Sequence, residues 1–81
     1  MNTHLEKIVL RQNLRRFYHL SLTLDLFGEW ALERRWGRIG AKGGQRRTEW
    51  FSNLKEATEA LTRLKHQKER RGYVERLGTY S

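Results

Sequence analysis

At 81 residues the chain has room for one domain with a single thin core, one sheet face against one helix. It contains no cysteine, which rules out disulfides, thiolate metal sites and thiol chemistry. Seventeen Lys and Arg against nine Asp and Glu leave a net charge of +8 and a pI near 10.6, a surplus that points to a polyanion: nucleic acid, an acidic membrane or an acidic protein.

Glu6 and Lys7 interrupt the N-terminal segment "MNTHLEKIVLRQ", so it does not read as a signal peptide. No apolar run approaches membrane-spanning length, and the expectation is a soluble, cytoplasmic protein. Lys7–Gln12 reads as a short first strand ending in the turn-like "QNLRR". "FYHLSLTLDL" alternates with period two, placing Tyr18, Leu20, Leu22 and Leu24 on one face and Phe17, His19, Ser21 and Thr23 on the other. Asp25 to Glu29, with Gly28 inside it, predicts a hairpin connection. The return strand "WALERRWGRIG" sets Trp30, Leu32, Arg34, Trp36 and Arg38 against Ala31, Glu33, Arg35, Gly37 and Ile39. Neither face is purely apolar, so its first half suits a core and its far end another purpose. Gly37 marks a local break, either a bulge or a close backbone approach.

A flexible cationic loop, Gly40 to Gly44, leads to a further alternating strand, "QRRTEWF". Ser52 or Asn53 is a good N-cap, and Asn53 with Glu56 resembles a capping box. Leu54, Ala57, Ala60, Leu61 and Leu64 form one helical stripe, with Lys55, Glu59, Arg63, His66 and Arg70 pointing away. Glu59 and Arg63 are spaced for an i,i+4 ion pair, Gly72 is a natural stop, and "GYVERLG" is a tail. The pattern predicts an α+β domain spanning residues 1–81. It has a small, mainly antiparallel sheet of four to five strands, with one long helix in the second half of the chain packed on one face.

No motif relates the serines, histidines and acids as a catalytic set. "GRIGAKGG" precedes a strand, not a helix N-terminus, so it is not a phosphate cradle. His4, His19 and His66 lack metal-ligand spacing. The chain reads as a non-enzyme with no metal and no cofactor. From Arg34 to Arg47 lie Arg34, Arg35, Arg38, Lys42, Arg46 and Arg47 without a single acid. Arginine's planar fork suits bidentate phosphate contacts. Trp30, Trp50 and Phe51 sit beside apolar neighbours and read as core. Trp36 has three readings: buried under arginine stems, held by a cation–π contact, or free to stack on a base or sugar. The basic helix end "RLKHQKERRGY" reads as a solvated face, with an auxiliary phosphate contact as the second reading.

Trp36-Gly37-Arg38 followed by Ile39-Gly40 resembles the signature of the WGR domain, a module of DNA-break-activated poly(ADP-ribose) polymerases and of bacterial proteins. "FYHLSLTLD", "GEWALERRWGRIG", "KGGQRRTEWF" and "LKEATEALTRLKHQKERRGY" resemble the family's other segments in order, over about Arg15 to Tyr73. The resemblance implies a sheet of about five strands with one helix; the chain departs from the family's polymerases in lacking a catalytic domain, and a stand-alone, bacterial-type version is expected. It further implies that Trp36 stacks against the sugar at a 5′ terminus, that Arg15 and Arg16 lie near phosphates, and that Arg38 contributes to contacts between domains.

The expected function is a non-catalytic nucleic-acid-binding module, DNA favoured, acting near ends or breaks with little sequence specificity. Its site comprises Trp36, Arg34, Arg35, Arg38, Lys42, Arg46, Arg47, Arg15 and Arg16. The alternative is a protein-interaction module that docks an acidic partner through the same Trp/Arg surface, Arg38 included. Membrane adhesion is not expected, because the core takes the helix's apolar stripe. A DNA-binding protein of this kind would associate with the nucleoid.

Overall fold

Period-two alternation favours strands over residues 17–24, 30–38 and 45–51. The computed structural model describes residues 1–76. Strands β1 (Asn2–Val9), β2 (Leu14–Leu24), β3 (Trp30–Arg38) and β4 (Gln45–Phe51) are followed by helix α1 (Leu54–Arg70) and strand β5 (Val74–Glu75). They form one antiparallel sheet in the order β4-β3-β2-β1-β5. The helix therefore carries the chain from the β4 edge across one sheet face to the β1 edge. The α+β architecture read from the sequence is the one observed.

Side chains alternate across the sheet, and only the helix-covered face has a core. Leu5, Tyr18, Leu20, Leu22 and Leu32 from the strands meet Ala57, Ala60 and Leu61 from α1. Leu5, Leu20 and Leu32 are fully buried, and truncating any of them to Ala is expected to cost about 2–5 kcal/mol. Asn53 caps the helix, its Oδ1 accepting from the Glu56 backbone N–H at 2.8 Å; the reciprocal bond of a full capping box is replaced by a side-chain pair, Asn53 Nδ2 donating to Glu56 Oε1 at 3.2 Å. It ends at Gly72, whose φ of 96° admits the chain reversal into β5. Lys65 Nζ and Glu75 Oε1, 2.7 Å apart, tie α1 to that last strand.

Several expectations change. The first strand is not Lys7–Gln12 but Asn2–Val9; Leu10–Gln12 forms a 3-10 turn closed by Asn13 in the left-handed region. Pairing with β2 along eight residues, Asn2↔Ser21 to Val9↔Leu14, overrides the weak strand pattern of "NTHLEK". The "GYVERLG" tail contains β5, held to β1 through Leu5↔Glu75 and Glu6↔Val74; its Leu77 and Gly78 lie outside the described residues. Gly37 is no bulge, because β3 stays paired with β2 through Arg38. Trp50 is not core. Phe51 faces the helix, so its neighbour Trp50 must face away, and it is 59% exposed. Leu24 and Leu54, placed on buried stripes by periodicity, lie at the ends of their elements and are exposed. Glu59 and Arg63 form no ion pair within 4 Å; the ion pairs found among the described residues lie elsewhere.

Candidate functional site

The hairpin registers assemble the site. On the helix-covered face, Lys7, Arg16 and Arg38 are direct cross-strand partners in one row over β1, β2 and β3. Like charges placed opposite one another destabilise a sheet, yet among the described residues no carboxylate lies within 4 Å of any of the three. The next row inward is Leu5, Tyr18, Trp36 and Gln45. Trp36 stacks on Tyr18 with ring centroids 5.7 Å apart and planes 20° from parallel, and Tyr18 meets Tyr73 edge-on at 6.4 Å. Aromatic floor and cationic rim are thus consecutive rows of the same strands.

The end of α1 completes the wall. Lys68 Nζ lies 4.6 Å from the Tyr18 ring centroid and 5.8 Å from that of Tyr73. Burial, then Arg71 and Arg34, hold its ammonium below the usual lysine value. A cleft of about 370 Å³ is lined by Leu14, Arg16, Trp36, Gly37, Arg38, Gly44, Gln45 and Tyr73. A second, of about 240 Å³, is lined by Lys7, Leu14, Arg16, Lys68, Arg71 and Tyr73. They share Leu14, Arg16 and Tyr73, so they form one groove with Lys7, Arg16, Arg38, Lys68 and Arg71 as its cations and no acid in its lining.

Glycine makes the groove's far wall possible. The loop after β3 folds back so closely that a Cβ on Gly37 would lie 3.3 Å from the Gly44 Cα. On Gly44, whose φ is 121°, a Cβ would meet the Trp36 carbonyl oxygen at 2.9 Å. The close backbone approach foreseen at Gly37 is therefore present.

Trp36 is half-buried: one ring face belongs to the core and the rest lines the groove. The basic run Arg34–Arg47 does not stay together. Arg34 lies under the helix with its Nη2 2.9 Å from Glu49 Oε1, a side chain only 16% exposed, and its buried Nε lacks a hydrogen-bond partner. Arg47 faces the same way, opposite Arg34, and is exposed. Arg38 lines the groove and donates from Nη1 to the Asn13 carbonyl at 3.4 Å. Arg35 and Arg46 point to the helix-free face, each 3.8 Å from Glu33. Lys42 is exposed in the loop. Arg15 and Arg16 diverge, Arg16 into the groove and Arg15 to the helix-free face opposite Ile8. Lys7 and Leu14 are outside the expected site, and Lys68, Arg71 and Tyr73 fall in the helix end read first as a solvated face and second as an auxiliary phosphate contact. The hairpin pairing of Lys7 with Arg16, and the return of the chain after Gly72, are the signals that locate them.

No helix among the described residues is long and apolar enough to cross a membrane, and none of their His, Asp and Glu side chains forms a group of three or more suited to a metal ion. The family model of the WGR domain matches residues 1–79. The chain is 37% identical over 70 residues to the uncharacterized protein y4dW of Sinorhizobium fredii (strain NBRC 101917 / NGR234), an alignment covering 86% of this chain and 34% of that relative. The chain thus spans about a third of the relative's length. No solved structure is significantly similar to it. With the signature Trp36-Gly37-Arg38 at the heart of the groove, the chain belongs to the WGR domain family, a family of nucleic-acid-binding modules.

Proposed function

We propose that the chain is a non-catalytic module that binds nucleic acid, duplex DNA in preference, at or near an end, and acts in the cytoplasm on the nucleoid. The observation that carries this reading is the groove itself: five cations and no acid, arranged around the free part of a tryptophan. A row of directly opposed Lys and Arg without a carboxylate partner is costly to the fold. A polyphosphate backbone is the ligand that neutralises it. Trp36 offers a ring edge and face to a terminal sugar or base, a contact worth about 1–3 kcal/mol per stacked base. Binding through phosphates positions the ligand without reading its sequence, so specificity is expected to be low.

The test is a fluorescence-anisotropy titration with a short 5′-phosphorylated duplex and with the same duplex closed by hairpins at both ends. Wild type should prefer the open duplex, with a log–log salt slope of roughly −4 to −5 for four to six phosphates. Trp36→Ala should lose that preference while keeping salt-sensitive binding. Because Trp36 also packs on Tyr18, Arg16→Gln with Arg38→Gln serves as a second variant that spares the core; it should lower affinity for both duplexes. Absence of duplex binding by wild type at moderate salt would refute the proposal and favour an acidic protein as the ligand of the same surface.

A further inference from the structure

The other side of the same sheet end carries a second basic cleft. Arg35 and Arg46 are direct cross-strand partners on the helix-free face. Glu33 sits between them, its two carboxylate oxygens each 3.8 Å from one guanidinium Nε. These are long contacts, and the two arginines remain 51% and 68% exposed, so one carboxylate partly neutralises two groups that are free to turn. With Phe17, Gln45 and the Gly43–Gly44 backbone they line a cleft of about 190 Å³. Gly44 lines this cleft and the Trp36 groove alike, so the glycine loop is the partition between them.

We infer that the Arg35–Arg46 cleft holds backbone phosphates of the second strand of the duplex whose other strand occupies the Trp36 groove; this rests on the nucleic-acid reading above. Face-to-face packing distances put the thickness of a sheet with its side chains at about 10 Å. The strands bordering the major groove of B-DNA lie about 12 Å apart. Two phosphate sites on opposite faces of one sheet end therefore match two strands better than neighbouring phosphates of one. Paired guanidinium groups suit that ligand, because each offers a planar fork to a phosphodiester.

The test uses Arg35→Gln with Arg46→Gln in the full chain, its folding checked by thermal melting. Lys55→Gln with Arg63→Gln, on the exposed side of α1, removes the same charge elsewhere. Salt dependence of binding is measured on a duplex with one open 5′-phosphorylated end, its other end closed by a hairpin, and on the corresponding single strand. On the duplex, the R35Q/R46Q slope should shrink in magnitude by about 2, at about 0.9 per phosphate. The single-strand slope, and the duplex slope of the α1 control, should stay at the wild-type value. An unchanged duplex slope in a wild type that binds DNA overturns the second-strand site and leaves the Trp36 groove standing. An equal loss on the single strand also overturns it, since the cleft then lies on the path of the first strand. If wild type binds neither ligand, both readings fall together.

Discussion

The two ends of this sheet are made by the same strands and finish in opposite chemistry. At one end, Lys7, Arg16 and Arg38 stand in a row beside Trp36, with Lys68 and Arg71 arriving from the helix. At the other, the β2–β3 turn exposes Leu26 (98%) and Phe27 (89%) next to the exposed Trp50. That turn is organised by an acid: Asp25 Oδ1 accepts from the backbone N–H groups of Phe27 and Glu29, both at 2.8 Å. From Phe17 to Glu33 the chain holds Asp25, Glu29 and Glu33 but no lysine or arginine. The net charge of +8 is thus concentrated away from the hairpin tip.

The largest expected effect breaks this contrast directly. Arg16→Glu with Arg38→Glu places acids in the groove and should weaken duplex binding at least about a hundredfold, since each charge-assisted contact is worth about 1.5–3 kcal/mol; anisotropy at fixed salt measures it. Trp36→Ala should lower stability by about 2 kcal/mol, roughly half the cost of deleting a fully buried tryptophan, because one ring face stacks on Tyr18. Urea titration checks that value, and an unchanged midpoint would mean that the stacking contributes nothing to the fold.

At the opposite end, Leu26→Ser with Phe27→Ser should leave stability within about 0.5 kcal/mol of wild type and duplex affinity unaltered. A loss of duplex affinity there would erase the distinction between the ends. The smallest effect concerns His19 on the helix-free face. Burial first, then His4 and Arg35, lower its pKa from the usual 6.5, against the pull of Glu33. The unfolded chain then binds this proton more readily than the folded one. The contribution of His19 to stability is therefore present above about pH 6.5 and is lost as pH falls below it. Urea midpoints at pH 7.5 and 5.5 should differ more for wild type than for His19→Gln.

Much of the fold is legible in local pattern. Gln45–Phe51 is bounded by glycines and by a cap, so both its limits and its alternation can be read directly. Asn53 and Glu56 announce the helix start for the same reason: the hydrogen bonds that make a cap connect residues three apart. The strand at Asn2–Glu6 is not legible, because His4 and Glu6 are poor strand formers whose conformation comes from pairing with β2. Trp50 shows the limit of residue type: a large aromatic beside Phe51 suggests core, and only knowing which face the helix covers assigns one inward and the other outward. At the site, Trp36, Arg38 and Arg16 could be picked from the sequence, whereas Lys7, Lys68 and Tyr73 come from chain segments remote from the signature.

The sequence by itself determined the polyanion-seeking charge, the alternating strands, the capped helix and the glycines that let the loop after Trp36 fold back, since each depends on composition or on neighbours a few residues apart. The tertiary structure alone decided which cations share a surface. Alternation along each strand already sends adjacent Arg15 and Arg16, and adjacent Arg34 and Arg35, to opposite faces; strand register decides which side chains they meet there. It brings Lys7 beside Arg16, while the helix crossover returns Lys68, Arg71 and Tyr73 to the same groove. Long-range pairing sets these neighbours, and no local spacing encodes it.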